Sequence, residues 1–297
     1  MSTESHALFR QHSRTFSAAA AWLAPDTFDE IATVYRFCRT VDDLADDGAD
    51  AVALSRIAAE LRGEAEAGEL VGSMLALRSK GVPMDAAEQL VEGCRTDLGV
   101  VRLPDERALV RYGYLVAGTV GRLVSPLLGV TDPRALPFAV DLGIGMQLSN
   151  IARDVGEDAA RDRVYLPATW LAEAGIGDRE VLIGGRDEVV HEVVCRVLDL
   201  AERYYASAEQ GFAYLPFRAR IAVAMAAHRY RAIGRLVRSR GAVAVRDRSV
   251  LGPVARVRYL LTAPLVASWS SGGHAHDMAL HGPIAGFLDG GAACATG

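Results

Sequence analysis

The spacing of apolar residues constrains the fold of this chain more than any other feature. Between Asp26 and Asp46 these residues recur every three or four positions, as on one face of an α-helix: Phe28, Ile31, Val34, Tyr35, Phe37, Cys38, Val41 and Leu44. Strand-like alternation is scarce, and Gly or Pro interrupts the chain at intervals that suit helices. The sequence therefore predicts an all-α fold.

The same spacing predicts the other helices, over about 51–98 in two or three pieces, 105–128, 132–158, 189–215 and 216–240. Breaks are expected near Gly72 and at residues 81–83, and Pro167 opens a new element. The helix over 105–128 carries small residues that let another backbone or a ligand approach closely, namely Gly113, Ala117, Gly118 and Gly121. The helix over 132–158 is the second one that carries acids near its end.

Composition excludes several classes of protein. With 297 residues, 51% of them hydrophobic, the chain has enough apolar side chains for a large core in one domain or two closely packed ones. A net charge of −5 argues against a nucleic-acid partner, because such proteins carry a basic face. The four cysteines are widely separated and form no CxxC pair, which favours reduced thiols over a disulfide framework. Since the N-terminus also lacks an apolar signal region, we expect a cytoplasmic protein.

Two acidic segments lie about 110 residues apart, each near the end of a predicted helix. Asp42 and Asp46 are four residues apart, as are Asp154 and Asp158, so each pair shares one helical face. Crowded carboxylates repel one another unless a cation neutralises them, and Mg²⁺ prefers oxygen ligands shared with substrate phosphates. Taken alone, each pair is explained as well by solvated helix ends.

Polar neighbours favour a ligand-binding interpretation of both segments. Arg36 and Arg39 precede the first segment, and Gln147, Asn150 and Arg153 run into the second. Amide, Arg and carboxylate groups on helices that otherwise form the core need polar partners. We therefore expect the two segments to face each other across a cavity and to hold a diphosphate through bridging metal ions.

Longer stretches around these acids resemble the squalene/phytoene synthase family. The resemblance lies in YRFCRTVDDLAD at 35–46, QLSNIARDVGED at 147–158 and RVYLP at 163–167. Weaker similarity is present in HSRTFS at 12–17, YGYLVAGTVG at 112–121 and AERYY at 201–205, so that the resemblance spans about residues 8–260. It implies an all-α isoprenoid (terpenoid) synthase fold with a central cavity for two prenyl diphosphates. It also implies one domain over 1–297, with a core over about 8–265 and a loose tail over 270–297.

The resemblance further implies a role for each matching residue. The implied ligands of Mg²⁺, or of Mn²⁺ as a substitute, are Asp42, Asp46, Asp154 and Asp158, with Asp43 and Glu157 as helpers. The implied diphosphate-binding residues are Ser13, Arg14, Ser17, Arg39, Arg153, Arg163, Tyr165 and Arg248. The implied catalytic residues near the reacting carbons are Tyr112, Gln147, Asn150 and Tyr230.

The expected activity is a prenyltransferase reaction that joins two geranylgeranyl diphosphates head to head to give phytoene. Alternatives remain open: a C30 squalene or dehydrosqualene product, transfer of the prenyl group to an aromatic acceptor, and a helical scaffold without turnover. The sequence departs from the family at Gly113, Leu115 and Ala152, and it lacks Lys between Val254 and Leu261. These departures change cavity walls and basic contacts, so chain length and acceptor stay undetermined.

Three further patterns carry less weight. Gly143 and Gly145 begin a dinucleotide-binding fingerprint, but Leu148 occupies the third Gly position, so no NADPH site is predicted. The spacing of His274, His276 and His281 is a poor template for a metal site, and we expect a loose tail there. The apolar stretch over 259–269 is expected to rest on the core, although peripheral membrane contact for a lipophilic product is left open.

Overall fold

A computed structural model of the chain describes residues 22–46, 50–252 and 275–288. The segment 254–261, the apolar stretch over 259–269, His274 and Cys294 lie outside the described residues. None of the described helices combines the length and the apolar composition that crossing a membrane requires.

Helices account for nearly all regular structure in the described residues. The α-helices are α1 Pro25–Asp46, α2 Ala51–Arg62, α3 Glu69–Ala76, α4 Met84–Arg95, α5 Glu106–Gly113, α6 Thr119–Val124, α7 Leu136–Ala159, α8 Ala168–Glu173, α9 Asp178–Ile183, α10 Asp187–Gly211, α11 Phe217–Arg240, α12 Val243–Arg246 and α13 Ala285–Leu288. Short 3₁₀ helices cover Leu77–Lys80, Pro133–Ala135, Phe212–Tyr214 and Met278–Ile284. The one strand pair of the described residues is parallel and joins β1 Val101–Arg102 to β2 Arg163–Val164, a small exception to the predicted all-α pattern.

Turn residues explain where the early helices begin and end. The Asp50 side chain caps α2 by accepting a hydrogen bond from the Ala53 backbone N–H at 2.8 Å. Gly63 ends that helix in the left-handed conformation, at a φ of 75°. The break predicted near Gly72 is wrong, because Gly72 lies inside α3 and the chain turns earlier, after Gly63. The break predicted at 81–83 is confirmed, with Gly81 at a φ of 85°.

Helix α7 is the centre of the fold and packs against the helical stretch from α5 to α6. A Cβ on Gly121 would lie 2.2 Å from the Ala139 carbonyl oxygen, and a Cβ on Gly143 would lie 2.2 Å from the Ala117 carbonyl oxygen. The backbones therefore approach more closely than any other side chain allows, which confirms the reason predicted for small residues over 105–128. It also shows that Gly143 serves helix packing.

A π-helical turn, Tyr114–Gly118, joins α5 to α6 and interrupts the single helix predicted over 105–128. Single π-turns inside α-helices are rare, and those that occur often lie at functional sites. This one follows directly after Tyr112, a predicted catalytic residue.

Two large apolar clusters meet beside the ends of the acid-bearing helices. One packs α1, α2, α3, α4 and α6 together through Phe37, Leu54, Met74, Leu90 and Leu123. The other packs α7 against α5, α10 and α11 through Leu109, Ile144, Leu148, Val197 and Val237. Val116 of the π-turn packs against both clusters. The two clusters therefore meet at this residue.

Residues 275–288 correct one expectation, because this part of the predicted loose tail packs against the core. Leu280 and Ile284 are buried, and the Leu280 carbonyl accepts a hydrogen bond from the Tyr204 hydroxyl at 2.9 Å. The Phe287 ring stacks on the Tyr114 ring at 5.6 Å between centroids. The Gly and His residues of this segment hid these apolar anchors in the sequence pattern.

Candidate active site

A charged cavity of about 1040 Å³ lies between α1 and α7 and is closed by α4, α5 and α11. Its charged lining comprises six acids and six arginines: Asp42, Asp46, Asp97, Asp154, Glu157, Asp158, Arg39, Arg153, Arg161, Arg163, Arg229 and Arg248. The two acidic segments predicted from sequence thus share one chamber.

Asp42 and Asp158 are the carboxylates whose protonation this chamber perturbs most. Burial is the larger cause, and repulsion from Asp46 the next, of a rise in the pKa of Asp42 to about 6. Burial, then repulsion from Asp154, raises the pKa of Asp158 to about 8. Both shifts have the direction expected for crowded acids without enough positive charge nearby.

Asp46 is held differently, because two arginines that follow α7 reach across the chamber to it. Arg161 lies 2.8 Å from one oxygen of Asp46, and Arg163 bonds the other. Burial pushes the pKa of Asp46 upward, but these hydrogen bonds outweigh it and hold the pKa below the usual value. These bridges join the end of α1 to the segment around β2.

The acids of α7 are also paired with arginines. Arg153 Nε donates to Asp154 at 2.7 Å, and Arg248 Nε lies 3.3 Å from the same carboxylate. Arg248 Nη1 also donates to Glu157 at 2.9 Å. Close packing of Gly156 against the α12 backbone brings Arg248 to this position, since a Cβ there would lie 2.8 Å from the Arg246 carbonyl oxygen.

Two sequence expectations about α1 change in the structure. Asp43 pairs with Arg39 and is not among the cavity-lining residues, because one step along a helix turns the side chain by about 100° from Asp42. Arg36, expected to accompany the first acidic segment, instead donates to Glu69 at 3.0 Å and so ties α1 to α3.

Asp97, just after α4, is a buried acid that sequence reasoning missed. It accepts hydrogen bonds from the Tyr112 hydroxyl at 2.8 Å and the Tyr165 hydroxyl at 2.6 Å, and the two rings stack at 4.7 Å. Arg163 donates to the Asp97 carbonyl at 2.6 Å. Burial raises the pKa of Asp97 more than these bonds lower it. Both tyrosine hydroxyls are therefore engaged, which leaves the ring of Tyr112 to face the cavity.

A second, apolar cavity of about 240 Å³ adjoins the charged one. Its walls come from the segment before α1, from α1 itself, from the π-turn and α6, and from α7 and α11, and include Phe28, Val120, Leu142, Met146 and Val223. Gln147, Asn150 and Tyr230 line both cavities and so mark the boundary between them.

The chamber suits a hard divalent cation. Asn150, Asp154 and Asp158 recur every four residues, so their oxygens lie along one face of α7. The Asn150 Oδ1 atom is buried without a hydrogen-bond partner among the described residues. Carboxylate and amide oxygens are the ligands Mg²⁺ prefers. Five of the lining arginines already pair with acids, namely Arg39, Arg153, Arg161, Arg163 and Arg248. An incoming diphosphate therefore also needs additional positive charge.

Most residues singled out in the sequence lie in this chamber, including Tyr165. Ser13, Arg14 and Ser17 lie outside the described residues. Arg161 and Arg229 also line the cavity and were missed, because Arg residues are common at solvated positions and nothing in the spacing of these two marks them. For Asp97, an acid directly after the apolar face of α4 was the available signal. The roles assigned to the lining residues stay predictions.

Comparison with known proteins identifies the family. Residues 9–256 match the squalene/phytoene synthase family. A phytoene synthase from Pseudescherichia vulneris is 33% identical over 269 residues, covering 85% of this chain and 87% of that protein. The chain belongs to the squalene/phytoene synthase family. A second relative, a phytoene synthase from Thermus thermophilus, is 36% identical over 231 residues, covering 76% of this chain and 79% of that protein.

Solved structures confirm the fold predicted for a squalene/phytoene synthase family member. A dehydrosqualene synthase in complex with ligand superposes with a TM-score of 0.77 at 23% identity, covering 90% of this chain and 95% of that one. The squalene synthase from Alicyclobacillus acidocaldarius superposes with a TM-score of 0.70 at 21% identity, covering 80% and 93%. The all-α isoprenoid synthase fold is thereby confirmed.

Proposed function

We propose that this chain is a metal-dependent prenyltransferase that joins two geranylgeranyl diphosphates head to head to give phytoene. One observation carries the proposal: a charged chamber opens, at Gln147, Asn150 and Tyr230, into an apolar one. A prenyl diphosphate has the same two-part character, with a polyanionic head and a hydrocarbon tail. Relatives named phytoene synthase support the choice of reaction.

In the proposed complex the charged chamber holds the diphosphate head. Asp42 and Asp46 on α1 and Asn150, Asp154 and Asp158 on α7 supply oxygen ligands for Mg²⁺, or for Mn²⁺ in its place, with Glu157 as a helper. When bound, the metal neutralises the charge that develops on departing diphosphate. The arginines now paired with these acids, among them Arg39, Arg153, Arg163 and Arg248, then turn to the phosphate oxygens.

The apolar chamber takes the prenyl tail and excludes water from the allylic cation. Small side chains on α7 and α11, such as Ala139 and Ala226, leave the space that the tail fills. Tyr112 lines the charged chamber and Tyr230 lies at the boundary of the two chambers, and aromatic faces stabilise nearby positive charge. Gln147 and Asn150, at the boundary, position the head relative to the tail.

The overall reaction balances without a reductant. Coupling of two C20 diphosphates releases one diphosphate and one proton and gives a cyclopropyl diphosphate intermediate. Ionisation of that intermediate releases the second diphosphate, and rearrangement with loss of another proton gives phytoene. Each departing diphosphate is a base that can accept one of the released protons, so the chain's own residues need only bind the substrates, shield the cations and hold the leaving groups apart.

The proposal is tested by incubating purified protein with Mg²⁺ and either geranylgeranyl or farnesyl diphosphate. We expect a C40 hydrocarbon from the C20 substrate, identified by mass spectrometry, with two diphosphates released per hydrocarbon. A C30 product from farnesyl diphosphate alone would correct the chain length. Release of diphosphate without any hydrocarbon dimer would overturn head-to-head coupling and point to another acceptor.

A matched pair of variants links the activity to the cavity. Asp154→Asn keeps the size of the side chain but removes the charge, and we expect a loss of activity of at least about 100-fold, the scale on which removing one transition-state contact acts. Asp199→Asn is the control, because Asp199 is 70% exposed on α10 and pairs only with Arg238 among the described residues. Equal activity of both variants would remove α7 from the proposed site.

A further inference from the structure

A second cluster of ligand-type side chains lies at the other end of α7. Asp141 is completely buried and accepts hydrogen bonds from three side chains. One oxygen lies 2.8 Å from His276 Nε2 and 2.6 Å from Ser207 Oγ, and the other lies 2.8 Å from His281 Nε2. One ligand atom from each of Asp141, His276 and His281 lies within 4.8 Å of the other two.

This cluster is separate from the charged cavity. Asp154 lies thirteen positions after Asp141 along α7, which is about 20 Å at 1.5 Å per residue. None of the three residues lines either cavity. No histidine is among the cavity-lining residues that the structure describes, so the two sites differ in ligand chemistry.

The Asp141 carboxylate is held by histidines and not by arginines of the kind that pair with the acids of the charged cavity. Within the described part of the chain its ion-pair partners are the two histidines, and neither Arg nor Lys reaches it. The Nδ1 atoms of His276 and His281 are buried with no partner among the described residues, so each ring is hydrogen-bonded only through Nε2 there. The Nε2 atoms of both rings and the two oxygens of Asp141 therefore face one another.

This set of ligand atoms suits a divalent transition metal. Two neutral imidazole nitrogens and a carboxylate oxygen form a common set of protein ligands for Zn²⁺, which has bond lengths of about 2.0–2.2 Å to such atoms. Ligands around a tetrahedral ion then lie roughly 3.4 Å apart. The three atoms need shift by only about an ångström to reach that spacing, and Ser207 remains to orient the carboxylate.

We propose that Asp141, His276 and His281 form a structural zinc site that fastens residues 275–288 to α7 and α10. The fastened segment contacts functional elements at its far end. Gln89 donates to the Phe287 carbonyl at 3.2 Å, and the Phe287 ring packs on Tyr114 of the π-turn. The metal thus holds in place a segment that covers the turn following Tyr112.

The test uses the full chain without a polyhistidine tag, stripped with a chelator, mixed with Zn²⁺ and desalted. We expect one zinc to be retained per chain, with imidazole scattering in the zinc X-ray absorption spectrum and a higher melting temperature, since a ligand that binds only the folded state stabilises it. His276→Gln and His281→Gln should each lose this zinc. His191→Gln, on α10 away from the cluster, should retain it.

Two results would overturn the site. One is that the wild-type protein retains no zinc, or retains zinc that has no imidazole ligands, as expected if zinc binds only at the acidic cavity. The other is zinc retention unchanged in both His→Gln variants. Wild-type stoichiometry and spectrum decide the matter even if a variant fails to fold. Because no substrate is involved, the outcome is independent of the proposed prenyltransferase activity.

Discussion

Asp97 offers a quantitative test of how the cavity is built, because its carboxylate is the shared acceptor for two buried tyrosine hydroxyls. Asp97→Ala leaves the hydroxyls of Tyr112 and Tyr165 without an acceptor. Each buried polar group left unsatisfied costs about 1–3 kcal/mol, so the free energy of unfolding should fall by about 4 kcal/mol. Asp97→Asn keeps one acceptor and adds a donor to which the second hydroxyl can turn.

The Asn variant should therefore cost much less. Its bonds are neutral and weaker, but burial already raises the pKa of Asp97, which means that the folded protein disfavours the charge that Asn removes. We expect a loss of about 1 kcal/mol, and hence a gap of about 3 kcal/mol between the two variants.

Urea denaturation monitored by circular dichroism measures both values. Asp199→Ala and Asp199→Asn are the exposed controls and should change the free energy of unfolding by less than about 0.5 kcal/mol. Equal losses for Asp97→Asn and Asp97→Ala would show that the charge of Asp97, and not its role as acceptor, stabilises the fold. That result would refute the reasoning given for the tyrosine pair.

Three further predictions follow from the structure. Burial raises the pKa of Asp158 to about 8 in the folded protein, whereas the unfolded chain releases this proton near pH 4. The contribution of Asp158 to the free energy of unfolding therefore falls as the pH rises between these values. Added Mg²⁺ should accordingly raise the melting temperature more at pH 8 than at pH 6. Asn150→Ala should weaken Mg²⁺ binding, measured by calorimetry, about tenfold or more. The melting temperature of the metal-free protein should stay within a few degrees, since the Asn150 Oδ1 atom has no protein partner among the described residues. Unchanged Mg²⁺ affinity would exclude Asn150 as a ligand. Gly121→Ala should lower the free energy of unfolding by more than about 2 kcal/mol, because the new Cβ would overlap the Ala139 carbonyl. Gly72→Ala, inside α3 with open space around it, should raise the free energy of unfolding by up to about 1 kcal/mol. The reverse order in urea denaturation would contradict the packing described.

The helices and the two acidic segments were predictable because their signals are local. Apolar spacing marks α1 and α7 within the sequence itself, and a separation of four residues places Asp154 and Asp158 on one face. The early break was misplaced because Gly63, and not Gly72, adopts the left-handed conformation, which depends on the packing of α2 and α3.

Features that depend on distant partners were not predictable. Asp97 contacts Tyr165, 68 residues away, and Asp141 contacts His281, 140 residues away. Neither acid lies in a repeated motif. Asp97 follows the apolar face of α4, but the groups that bond each acid are brought to it only by the fold. The histidines of 275–288 looked like part of a solvated tail because their apolar neighbours are few, yet Leu280 and Ile284 are enough to anchor the segment.

The central claim is that the charged chamber holds the diphosphate head and the apolar chamber holds the prenyl tail. A crystal structure with Mn²⁺ and a non-reactive thio analogue of geranylgeranyl diphosphate tests it most directly, because Mn²⁺ can be located by its anomalous signal. We predict metal peaks bonded to carboxylates of both α1 and α7, with the tail passing Gln147 and Tyr230 into the apolar chamber. Metal peaks away from both helices, or a tail that lies outside the apolar chamber, would contradict the account.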